Sequence, residues 1–79
     1  MQQMIDDLGR LRDHATRYEV RQVSYAILWG YKTGRLNQAI EQYLVNTPII
    51  DVVLSLAETY ENPQQIVNAL NKMEANNAS

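Results

Sequence analysis

The sequence predicts an all-α fold, a small bundle of four to five short helices. Two observations lead to this fold class, and a third indicates a single domain. Apolar residues recur every three or four positions along most of the chain, which is the period of one helical face. Each of the two prolines follows a residue that commonly caps a helix N-terminus. The 79 residues include no Cys and suit one domain without a disulfide framework.

The first part of the chain predicts two helices separated at Thr16. Apolar residues at helical spacing mark one face of the first helix: Met4, Ile5, Leu8, Leu11 and Ala15. Thr16 followed by Glu19 fits a capping box, so we expect a second helix over residues 17–32 that stops at Gly34. The alternative is one long helix with a coiled-coil seam, because the same spacing continues through Tyr18, Tyr25 and Trp29.

Three further helices are expected after Gly34. The third carries its apolar residues at Leu36, Ala39, Ile40, Tyr43 and Leu44. The fourth and fifth begin at Thr47-Pro48 and Asn62-Pro63, where the first residue would cap and Pro would open the helix. Gln65 completes a possible capping box at the second of these starts.

The helix expected at residues 48–61 is apolar around nearly its whole circumference, which predicts a buried central helix. Its β-branched residues would also suit a strand, but the Pro at its start favours a helix. The fifth helix shows one apolar face, formed by Ile66, Val67, Leu70 and Met73. We therefore expect one helical domain over residues 1–75 and a frayed polar tail over residues 76–79.

Catalytic and metal chemistry find little support in the residue types present. There is no Cys, and the only His, His14, is surrounded in sequence by Arg10, Arg17 and Arg21. The carboxylates are scattered singly, and no known nucleotide, zinc or calcium motif occurs. We expect a protein that is not an enzyme and that uses no cofactor or metal.

The charge is unevenly distributed along the chain. Residues 10–35 carry six basic and two acidic residues, a balance of +4, whereas residues 36–79 carry one basic and five acidic residues, a balance of −4. On a continuous helix, spacings of four, three and four would align Arg10, His14, Arg17 and Arg21 in one cationic stripe. An ordinary solvated helix face is the alternative interpretation.

The expected function is contact with another protein or with a second copy of this chain, as an adaptor, an assembly subunit or an inhibitor. Tyr and Trp suit interfaces as well as cores, and cations favour an acidic partner. The candidate interaction residues are Arg10, His14, Arg17, Arg21, Tyr25, Trp29, Lys32 and Arg35.

Nucleic-acid binding is the alternative function. Residues 26–44 can be drawn as a helix-turn-helix that offers Arg35, Asn37, Gln38 and Gln42 to base edges. The sequence pI near 5.2 argues against it.

Residues 23–48 resemble the helix-turn-helix stretch of bacterial effector-associated, death-like adaptor domains. In those domains too a Trp-bearing helix runs into Gly-Arg-Leu, and a second amphipathic helix ends near Asn and Pro. The resemblance implies a helical adaptor that associates with like domains. It rests on Trp29, Gly34, Arg35, Leu36 and Ile40.

The start of the chain does not predict a secretory signal, because residues 1–9 contain two Asp and no apolar core segment. No apolar run approaches the length that spans a bilayer. We therefore expect a cytoplasmic protein with no membrane contact.

Overall fold

The computed structural model describes residues 2–59 and 61–77, with side chains as far as residue 73. Within these residues the chain forms an all-α bundle, which confirms the predicted fold class. The helices are α1 (Gln2–His14), α2 (Tyr18–Lys32), α3 (Gln38–Val45), α4 (Ile49–Ala57) and α5 (Pro63–Asn77).

A break separates α1 from α2, so the alternative of one long helix is wrong. The backbone of Arg17 is extended, with φ −81° and ψ 131°, and Arg17 rather than Thr16 precedes the first turn of α2. No side chain caps this turn, so the predicted capping box does not form. The short connection instead lets α1 fold back and pack against α2.

Helix α2 occupies the middle of the bundle and packs against α1, α4 and α5. Its buried face continues through Val23 and Ile27, which are completely covered. Gly30 is also buried there. A Cβ added at this position would lie only 2.7 Å from Cγ2 of Val67 on α5. The absence of a side chain at Gly30 therefore permits the close contact between α2 and α5.

Helix α4 is shorter than expected and is buried on one side only. Its covered residues are Ile49, Val52, Val53, Leu56 and Ala57. Ile50 and Leu54 are 41% and 42% exposed, so the expectation that α4 is buried around nearly its whole circumference is wrong. Five apolar residues are enough to cover the side of α4 that meets the bundle, and the rest remain in contact with water.

The turns that separate the helices confirm two of the predicted boundary residues. Gly34 has a φ of +70°, the left-handed conformation that commonly ends a helix, and it follows α2. At the start of α5, Oδ1 of Asn62 accepts a hydrogen bond of 2.8 Å from the backbone N–H of Gln65. Asn62 therefore caps α5 as expected.

The capping role predicted for Thr47 is wrong. Pro48, not Thr47, precedes the first residue of α4, and no side chain caps that helix. At α5 the reciprocal half of the capping box is also missing, since Oε1 of Gln65 is buried without a hydrogen-bond partner among the described residues.

The backbone of α5 extends to Asn77. Residues 78 and 79 lie outside the described residues, so the frayed tail expected over 76–79 stays a prediction.

Candidate functional site

Three aromatic side chains lie along the outer face of α2. Tyr18, Tyr25 and Trp29 are seven and four residues apart, which places them above one another on the helix. Tyr18 is 58% exposed and Tyr25 is 44% exposed, while Trp29 is half-buried and packs partly against the core. We call these three residues the aromatic ridge.

Cationic side chains flank the aromatic ridge. Arg21 and Lys32 are eleven residues apart, three helical turns, and therefore lie on the same side of α2. Arg35, just after the helix, places its guanidinium carbon 4.7 Å from the centre of the Trp29 ring. This contact is a cation–π interaction, and it brings a fixed positive charge to the end of the ridge.

The backbone around Arg35 is held by Asn71 of α5, which sequence reasoning missed. Nδ2 of Asn71 donates a hydrogen bond of 3.0 Å to the carbonyl oxygen of Arg35, and its Oδ1 accepts one of 3.0 Å from the N–H of Asn37. The two bonds fix the loop between α2 and α3 and so position Arg35 beside Trp29. No local pattern could have revealed Asn71, because its partners lie 34 and 36 residues away in sequence.

The structure does not provide the continuous helix on which the predicted cationic stripe depended. Arg10 and His14 belong to α1, whereas Arg21 belongs to α2. Arg10 forms an ion pair with Asp7, and Nε of Arg17 lies 3.7 Å from Oε2 of Glu19. Of the candidate interaction residues, the structure brings together those beside the ridge: Arg21, Tyr25, Trp29, Lys32 and Arg35.

Next to His14, Arg12 and Asp13 form an ion pair of their own. Nε of Arg12 donates a hydrogen bond of 3.0 Å to Oδ1 of Asp13. This bond lowers the pKa of the Asp13 carboxyl below its ordinary value and raises the pKa of Arg12. The charges on this part of α1 are therefore largely compensated locally.

A second surface, which carries an exposed carboxylate, lies on the outer side of α4. Its apolar members Ile50 and Leu54 are exposed, and so is Asp51 beside them. Beside them a groove of about 120 Å³ lies between α3, α4 and α5, lined by Tyr43, Thr47, Asp51, Val52, Ser55, Leu56 and Met73. We call the outer side of α4 together with this groove the acidic face.

Residues 2–59 and 61–77 offer neither a metal-binding cluster nor a membrane-spanning helix. No three His, Asp or Glu side chains converge as a metal ion would require. No helix in this part of the chain combines the length and the apolar character needed to cross a bilayer.

No protein-family model, no curated protein and no solved structure matches this chain. The resemblance of residues 23–48 to death-like adaptor domains therefore stays a prediction, and the functional argument rests on the surfaces described above.

Proposed function

We propose that this chain is a non-catalytic protein-binding module and that the outer face of α2 is its binding surface. The supporting observation is the exposure of the aromatic ridge. Exposed and half-exposed aromatic side chains placed beside arginines are the residue types that dominate binding energy at protein interfaces. An adaptor, an assembly subunit or an inhibitor would each use such a surface.

The chemistry of the ridge specifies the kind of partner. Tyr18 and Tyr25 offer large apolar surfaces with hydroxyl groups at their ends, so they suit a partner surface that is apolar with polar edges. Arg21, Lys32 and Arg35 add positive charge around that surface, which favours carboxylates opposite them. The expected partner is therefore a protein with exposed apolar side chains bordered by Asp or Glu.

The nucleic-acid alternative has weaker support. A recognition helix needs cations close to the phosphates, and α3 contains no basic residue. Arg35 is stacked on Trp29, and Asn37 gives its backbone N–H to Asn71. Gln38 and Gln42 are exposed, but amides alone supply little of the electrostatic affinity on which such binding depends.

Photo-crosslinking in the cells that make the protein tests the proposed binding surface. A photoreactive phenylalanine analogue replaces Tyr25 in one variant and Gln64 in the matched control, since Gln64 is exposed on α5. We expect the probe at position 25 to give a protein adduct of defined mass and the probe at position 64 to give none. Equal yields at both positions, or no protein adduct from position 25, would overturn the proposal.

Electrophoretic mobility shift separates the two classes of macromolecule. Mixed-sequence DNA and RNA at low and high salt should give no shift with the purified chain. A shift that weakens with salt and disappears in Arg21→Ala and Arg35→Ala variants would favour the nucleic-acid function instead.

A further inference from the structure

We propose that the acidic face of one copy of this chain receives the aromatic ridge of another, so that copies associate head to tail. This inference rests on the proposed function and names the partner of the ridge as a second copy. The two surfaces lie on different helices of the same molecule, α2 and α4, so each copy offers both halves of the contact.

The groove in the acidic face has the size and lining for one inserted side chain. At about 120 Å³ it is well below the ~300–1,000 Å³ of typical small-molecule pockets. Tyr43 and Met73 are exposed at its edges, and Val52 and Leu56 form a covered apolar base. An aromatic side chain from a protein surface, such as Tyr25, fits this combination of small volume and apolar lining.

Charge complementarity selects a cationic occupant. Residues 36–73 contain four acidic residues and one basic residue, and Asp51 stands in the groove itself. Three of the acidic residues, Asp51, Glu58 and Glu61, are exposed. The ridge carries its aromatic side chains among Arg21, Lys32 and Arg35, so it matches the acidic face in both polarity and charge.

A two-fold dimer through the ridge is disfavoured by the same charges. Symmetry would place the cations of one ridge beside the cations of the other, and like charges across an interface oppose association. The head-to-tail arrangement pairs unlike charges instead, and it leaves an unused ridge and an unused acidic face at the two ends of the assembly.

A mixing experiment with two full-length variants tests this arrangement. Tyr25→Glu damages the ridge and leaves the acidic face intact. Ser55→Arg places a cation in the groove at an exposed position of α4 and leaves the ridge intact. Gln64→Glu and Asn68→Arg are the matched controls, because they make the same charge changes on α5. Asn68 lies away from the groove: it precedes Met73 by five residues, which places it about 140° from Met73 around the helix.

Sedimentation velocity at low salt is the measurement, after circular dichroism has shown that all four variants fold. The unmodified chain and both control variants should associate as protein concentration rises, and high salt should weaken the association. Each of Tyr25→Glu and Ser55→Arg alone should lower the association constant by about tenfold to a hundredfold. Their equimolar mixture should form a one-to-one dimer and nothing larger, because only one intact pair of faces remains.

Two outcomes would overturn the head-to-tail contact. A chain that stays monomeric at high concentration and low salt has no such contact, while crosslinking of position 25 to a different protein would still support the proposed function. Association of Ser55→Arg at the unmodified level, with loss only in Tyr25→Glu, would identify a two-fold contact through the ridge.

Discussion

Helices α2 and α4 bury similar residues on their inner sides and expose opposite chemistry on their outer sides. Both pack Val, Ile or Leu side chains into one common core. On its outer side α2 presents the aromatic ridge with cations, whereas α4 presents Ile50 and Leu54 with the carboxylate of Asp51.

The inner sides of the two helices account for folding, and the outer sides require another explanation. Exposed Tyr and Leu side chains contribute little to folding, because they remain in contact with water in the folded state. A contact with a partner gives these outer residues a function that the bundle itself does not. Substitutions on the two sides should therefore separate stability from association.

The largest expected effect comes from truncating the inner sides. Ile27→Ala should lower the free energy of unfolding by about 2–5 kcal/mol, and Val53→Ala by about 2 kcal/mol, because both side chains are completely buried. Tyr25→Ala and Leu54→Ala should each change it by about 0.5 kcal/mol or less. Urea denaturation measures all four, and equal losses for Val53→Ala and Leu54→Ala would contradict the one-sided burial of α4.

Two glycines test how closely α2 is packed. Substitution by Ala should change the free energy of unfolding in opposite directions at Gly30 of α2 and at Gly9 of α1. Gly30→Ala should destabilise by about 1 kcal/mol after the helix-propensity gain, since its Cβ would press against the stiff side chain of Val67. Gly9→Ala should stabilise by about 0.5–1 kcal/mol, because nothing lies within 4 Å of its added Cβ. Thermal denaturation that shifts both melting temperatures upward would show that α2 and α5 are less closely packed.

The starts of α4 and α5 should respond differently to substitution, because only the start of α5 has a side-chain cap. Asn62→Ala should cost about 1 kcal/mol, because it removes the hydrogen bond to the N–H of Gln65. Thr47→Ala should change stability by about 0.5 kcal/mol or less, because the side chain of Thr47 caps no helix. Chemical denaturation measures the free energy of unfolding of both variants. A larger loss of this free energy for Thr47→Ala than for Asn62→Ala would contradict the conclusion that Asn62 caps its helix and Thr47 does not.

Much of the fold could be predicted from local patterns. Spacing located the helices, the two prolines located the starts of α4 and α5, and Gly34 marked the end of α2. Local patterns could not show which side of α4 is covered, because its apolar residues extend around the helix and tertiary packing decides which of them meet the bundle. The same patterns could not decide between Thr47 and Pro48 as the residue that precedes α4.

The candidate site could be predicted where it lies on α2 or directly after it. The spacing of Tyr25 and Trp29 along α2 was readable from the sequence. The hydrogen bonds of Asn71 to the α2–α3 loop, and the groove that joins Tyr43 to Met73, depend on contacts between helices far apart in sequence. The cationic stripe through Arg10 and Arg21 required a continuous helix, and the break after His14 removed that condition.

The central claim is the contact between the aromatic ridge of one copy and the acidic face of another. The quenching of Trp29 fluorescence by acrylamide tests this contact most directly. Trp29 is the only Trp in the chain, so its emission reports on the ridge alone. At low salt, quenching should weaken as the concentration of the unmodified chain rises, because the contact covers the indole, and should not change with concentration in Ser55→Arg. Quenching that is independent of concentration in the unmodified chain, or that weakens equally in Ser55→Arg, would contradict the claim.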